Sequence, residues 1–189
     1  MKLVPTAIQP IGPFFHFALT PGWESGDRSA GVMAGPNTLG EHITLRIRLL
    51  DRDAAPVTNG MLELWQADAN GKYNHPADTQ PKTADPNFHG FGRLATDDAG
   101  LSIFETVKPG QVEGQAPHIN VTIFAPGLLR PVYTRLYFEG DPANASDQVL
   151  NLAPADRRPT LLARPAAEPG TWHFDIYLQG PCETVFFDV

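Results

Sequence analysis

His42-Ile43-Thr44-Leu45-Arg46-Ile47-Arg48-Leu49-Leu50 decides the fold class. Ile43, Leu45, Ile47 and Leu49 alternate with His42, Thr44, Arg46 and Arg48. In an extended chain successive side chains point to opposite faces, so this stretch is a strand with one buried face and one wet face. Wound into a helix, the same residues would scatter their apolar groups around every side.

Outward from this strand, towards the C-terminus, short apolar runs alternate with turn residues. Asn59-Gly60 marks a turn, residues 61–67 a second strand, and Asn70-Gly71 another turn. Residues 74–90 are polar and interrupted by Pro76, Pro81 and Pro86. A stretch of that length without its own periodicity is a functional or self-packed loop. Strands are expected at 92–96 and 101–106, joined by Asp97-Asp98-Ala99-Gly100, and at 118–125, 133–138, 171–179 and 184–189. A short helix is expected near residues 144–152. Towards the N-terminus, Pro5, Pro10, Pro13 and Pro21 push their preceding residues to extended geometry, so residues 6–17 read as an extended arm. The whole, 1–189, reads as one all-β domain. It is an antiparallel β-sandwich with long loops, an extended N-terminal arm over 1–21 and a Gly-rich connection over 22–40.

The formal net charge is −7, with only 14 Lys and Arg, which argues against nucleic acid as a partner. Cys182 is the single cysteine, so no internal disulfide framework exists and a reducing compartment is expected. No run approaches the roughly 20 apolar residues of a membrane span, and the N-terminus lacks the apolar core of a signal peptide. The expected location is the cytoplasm.

The six histidines are His16, His42, His75, His89, His118 and His173. None stands four residues from another, and H-x-x-H, C-x-x-C and G-x-S-x-G are all absent. The segment Ala116-Pro117-His118-Ile119-Asn120-Val121 is sharper. On a strand His118 and Asn120 project together. Two histidines so placed would make a two-ligand plate for iron, but an amide is a poor second ligand. Tyr73, presented after the Asn70-Gly71 turn, offers a hard anionic oxygen when ionised. Taken alone, it is an ordinary packing residue, and His118 an ordinary hydrogen-bonding one.

The order and spacing of several segments resemble the intradiol ring-cleaving dioxygenases. They are Ile11-Gly12-Pro13-Phe14-Phe15, Leu64-Trp65-Gln66-Ala67-Asp68-Ala69-Asn70-Gly71, Phe91-Gly92-Arg93, Val107-Lys108-Pro109-Gly110, Pro117-His118-Ile119-Asn120, Thr134-Arg135-Leu136-Tyr137-Phe138 and Glu183-Thr184-Val185-Phe186-Phe187-Asp188. The resemblance is strongest to the α chains of the family's αβ enzymes, and it runs essentially end to end.

That resemblance implies a heteromer of homologous α and β sandwich chains. In the β chain, Fe(3+) is held by two tyrosines and two histidines. It binds a catecholate through both oxygens, for cleavage by dioxygen between the two hydroxyl-bearing carbons. Carried over to this sequence, the first tyrosine falls on Tyr73 and the histidines on His118 and Asn120. Residues 111–115 hold no tyrosine where the second belongs. Two of four ligands survive, so Tyr73, His118 and Asn120 are vestigial ligand positions. No metal or catalytic residue is expected in this chain alone.

The resemblance further places the arm, at Gly12, Pro13 and Phe14, against the partner's substrate pocket. A pocket arginine of the α chains is missing here at Pro126, and Arg130 is the nearest replacement for holding an anionic, carboxylated catechol. Arg135 reads as a structural ion-pair residue on its strand. Three alternatives remain: an independent iron dioxygenase drawing ligands from His75, His89 or Tyr133, a non-enzymatic sandwich that binds or scaffolds, and homo-oligomerisation through the same arm.

Overall fold

Alternation in β1 (His42–Leu50) is realised side chain by side chain. Ile43, Leu45, Ile47 and Leu49 are buried, and His42 and Arg48 are exposed. The computed structural model describes residues 11–12, 15–22 and 25–188. Seven further strands follow: β2 (Met61–Gln66), β3 (Phe91–Ala95), β4 (Leu101–Val107), β5 (His118–Phe124), β6 (Val132–Phe138), β7 (Leu162–Pro165) and β8 (Thr171–Tyr177).

They run in the order β3-β2-β5-β6-β7-β8-β1-β4. The short β7 joins the two halves of the sandwich, pairing with β6 on one side and β8 on the other. Inward-facing Leu62, Leu64, Ile119, Val121 and Leu136 of one half meet Leu45, Ile47, Phe104, Phe174 and Ile176 of the other. Each such buried side chain contributes about 1.5–3 kcal/mol. The edge strands β3 and β4 are capped by the segment before β1, where Met33 N–H donates to Glu105 O at 2.8 Å and Ala34 bridges Phe88.

Several expectations need correction. The sheet is antiparallel except at β1–β8 and β6–β7, which are parallel. β7 is an added strand that its sequence, four residues ending in proline, does not announce. Residues 184–188 form no strand and meet β6 through one bridge, Tyr133 with Phe187, and the bond from Thr134 Oγ1 to the Val185 carbonyl. Val189 lies outside the described residues, as do residues 1–10 of the arm, Pro13 and Phe14.

Within the described part of the arm, α1 (Phe15–Leu19) closes one helical turn in the proline-free window before Pro21, where extended chain was expected. The expected helix at 144–152 is broken into two 3-10 turns, Pro142–Ser146 and Leu150–Leu152. The break falls at Asp147, whose extended backbone (ψ 121°) leaves its carboxylate free to accept the Ala116 N–H at 2.7 Å.

Candidate functional site

The outward face of β5 carries His118 and Asn120, because Ile119 and Val121 point into the core. Trp65 stands opposite Asn120 on β2, and Arg135 opposite it on β6. Tyr137 stands opposite His118. The loop from β2 to β3, residues 67–90, folds over this face and delivers Tyr73.

The loop is held by its acids. Buried Asp68 accepts N–H groups of Asn70, Lys72 and Asp85. Asp78 accepts the N–H groups of Tyr73 and Gln80 and pairs with Lys72 Nζ at 3.0 Å. Burial by itself raises the Asp78 carboxyl, but the bonds from Gln80, Tyr73 and Lys72 outweigh it and hold the group well below the usual carboxylate range. This order explains how a polar, proline-broken stretch forms a fixed wall. Its ring stacked on Trp65 at 5.7 Å, Tyr73 then reaches the strand face.

Tyr73, His118 and Asn120 are brought together by this loop. The Tyr73 oxygen lies 3.3 Å from His118 Nε2 and 3.2 Å from Asn120 Nδ2. His118 Nδ1 is 2.8 Å from the Ala116 carbonyl, which only accepts, so Nδ1 carries the proton. Nε2 is therefore the acceptor, and the Tyr73 hydroxyl donates to it. Asn120 Nδ2 also donates to the Trp65 carbonyl at 3.2 Å, which fixes the amide with its nitrogen towards Tyr73.

Burial pushes the His118 imidazolium down to about 4, with Arg135 adding to the effect, so the ring is neutral near pH 7. Burial raises the Tyr73 phenol, against the pull of the Asn120 bond and the Arg135 charge.

This set does not fit a ferric ion. It offers one imidazole and one phenol held protonated by its bond to that imidazole. The amide presents its nitrogen, and the 111–115 turn brings no oxygen anion from a tyrosine. Three positive charges would meet at most one anionic ligand. Among the described residues, no group of three or more His, Cys, Asp and Glu is placed to hold a metal.

In front of Tyr73 lies an open cleft of about 430 Å³, walled by Trp65, His75, Asp78, Gln80 and Gln115. Arg135 lies just beyond. Among the described residues it makes no ion pair with a carboxylate, where a structural ion pair was expected, and it donates to Gln115 Oε1 at 2.7 Å. Its sequence signal was its parity: two residues before Tyr137, it must share that residue's face.

The arm and Arg130 occupy a separate place. Ile11 N–H donates to Leu128 O at 3.2 Å, and Phe15 packs on Phe124 with ring centroids 5.9 Å apart. Gly12 is exposed, and Arg130 is an exposed loop residue paired with Asp188 at 3.2 Å. This cluster sits at the end of β5 away from His118, six residues or roughly 20 Å along the strand. The structure therefore groups Gly12 with the Arg130 loop and does not bring either to Tyr73, His118 and Asn120.

A family model described as "Dioxygenase" matches residues 20–180. The chain is 41% identical to the protocatechuate 3,4-dioxygenase alpha chain of Burkholderia cepacia, over 97% of each chain. It is 40% identical to the alpha chain of Pseudomonas putida, covering 100% of this chain and 98% of that one. It is 35% identical to the beta chain of Burkholderia cepacia, over 90% of this chain and 74% of that one. Among solved structures, the dioxygenase domain of a carbohydrate-binding fusion from Streptomyces sp. SirexAA-E superposes with a TM-score of 0.63 at 29% identity, covering 79% of this chain and 87% of that one. An intradiol ring-cleavage dioxygenase from Tetranychus urticae shares the fold with a TM-score of 0.61 at 18% identity, over 82% and 88% of the two chains. With that family model spanning most of the sequence and relatives matched end to end, the chain belongs to the intradiol dioxygenase family.

Proposed function

We propose that this chain is the α-type, iron-free subunit of an αβ protocatechuate 3,4-dioxygenase. The heteromer cleaves 3,4-dihydroxybenzoate with dioxygen to 3-carboxy-cis,cis-muconate. Fe(3+) belongs to the homologous β chain, where it supplies the chelation that makes the catechol ring reactive towards oxygen. This chain contributes pocket wall, interface and stability. Its arm at Gly12, Pro13 and Phe14 and the neighbouring Arg130 face the partner's substrate. Higher identity to α chains than to the β chain supports the assignment. Its place of work is the cytoplasm, and no helix among the described residues is long and apolar enough to cross a membrane.

One observation carries the reading: the residues at the ligand positions are engaged with one another. The Tyr73 hydroxyl is given to His118, and the third position is an amide nitrogen. The test is iron content and protocatechuate-dependent oxygen uptake, for the chain alone and for the chain co-purified with a β-type partner. Iron and turnover confined to the mixture are expected. Stoichiometric iron or turnover in the isolated chain refutes the assignment.

A further inference from the structure

Arg135 is a charged residue in the middle of a strand whose neighbours Thr134 and Leu136 are buried in the sandwich. It stands directly opposite Asn120 in the β5–β6 register, on the face shared by His118 and Tyr137. Directly opposed antiparallel residues have Cβ atoms about 4.5–5.5 Å apart, so the Arg135 side chain rises beside the Asn120 amide. Its Nη1 is held by Gln115 Oε1 at 2.7 Å and lies 3.5 Å from the Tyr137 hydroxyl. That hydroxyl donates to Asp147 Oδ1 at 3.1 Å. Asp147 is fully buried and accepts N–H bonds from Ala116, Val149 and Leu150. The guanidinium is thus a fixed cation, and the nearest carboxylate in this network is one hydroxyl away.

We propose that the Arg135 guanidinium stands in for the metal at this site: a built-in cation that orders the polar residues around it and bars a metal ion. The inference rests on the reading of this chain as iron-free and names the group responsible. Gln115 comes from the short 111–115 turn, closed by the Val112–Gln115 bridge, and its side-chain oxygen serves the arginine. The missing second histidine and second tyrosine are then only part of the barrier. Restoring the histidine leaves an incoming cation facing a guanidinium of the same sign in a partly buried setting, where Coulomb repulsion is poorly screened.

The experiment uses the full chain as wild type, Asn120→His, Asn120→His/Arg135→Gln and Asn120→His/Arg135→Lys. The probe is Co(II) alone, followed by dialysis and by its visible absorption. Circular dichroism and a cooperative melt confirm that each variant is folded. Asn120→His/Arg135→Gln should bind one Co(II) at least roughly tenfold more tightly than Asn120→His. Asn120→His/Arg135→Lys should bind no better than Asn120→His, because it keeps the charge. Equal binding by Asn120→His and Asn120→His/Arg135→Gln, or no binding by folded Asn120→His/Arg135→Gln, overturns the role of Arg135 and leaves the iron-free assignment standing. Stoichiometric iron in the wild-type chain overturns both.

Discussion

Tyr73 and His118, 45 residues apart in sequence, are joined by a hydrogen bond of 3.3 Å in which the phenol donates to the imidazole Nε2. The bond ties the long β2–β3 loop to the first residue of β5. It also uses the two side chains best suited to hold a metal.

Tyr73→Phe keeps the ring on Trp65 but leaves His118 Nε2 without its donor. The loss should be about 1–2 kcal/mol in urea unfolding at neutral pH. An unchanged stability would mean that water serves His118 equally well and that the loop is not pinned there.

The same imidazole should give the chain a pH-dependent stability. His118 titrates at about 4 in the folded chain and near 6.5 when exposed. As pH falls below 6.5, the unfolded chain takes up a proton that the folded chain refuses, so stability falls through that window and levels off below about 4. The gap corresponds to on the order of 3 kcal/mol. Urea unfolding between about pH 7.5 and pH 4.5, compared with His118→Gln, isolates this contribution from the carboxylates. Parallel curves for the two proteins would show that His118 protonates freely in the fold.

Gly71 has φ +75°, and a Cβ there would overlap the Gln111 carbonyl. Gly71→Ala should therefore separate the turn at Asp68–Gly71 from the strand-exit at residues 110–111, at a cost of about 2–4 kcal/mol. A thermal melt decides it. A melt within error of wild type would mean that the turn shifts at no cost.

Among the described residues, no heavy atom lies within 4 Å of the position a Cβ on Gly12 would take. Gly12→Trp should leave the melting of this chain unchanged while lowering turnover of the assembly with a β-type partner by roughly tenfold or more. The partner's iron content should be unaffected. Full turnover would remove the arm from the substrate pocket.

The strands were legible wherever one face is buried and the other wet. β1 agrees with its alternation residue for residue, because nothing but burial distinguishes its two faces. β7 was not legible, because its four residues owe their extended form to two neighbouring strands rather than to their own pattern. The C-terminal run Thr184-Val185-Phe186-Phe187 has strand composition, yet its bonds go to the Thr134 and Thr160 hydroxyls and to the Tyr133 and Tyr177 backbones rather than to one ladder. At the site, the parity of His118 and Asn120 could be read from sequence. The hydrogen bond from Tyr73 could not, since it depends on how Asp68 and Asp78 shape the loop. The role of Arg135 also depends on a register, Asn120 against Arg135, that a single sequence does not express.

β1 lies between β4, its antiparallel neighbour, and β8, with Arg48 paired to Asp175 at a separation of 127 residues. One side of the strand that anchors the sandwich is therefore completed by residues 127 positions further along the sequence. On the ribosome, β1 waits for β8 to emerge, leaving the N–H and C=O groups along that edge unpaired. Loop-closure entropy makes such distant, parallel pairing slow. Synthesis of this subunit thus carries a late, vulnerable step, and truncation anywhere before residue 171 leaves β1 unpaired on that side.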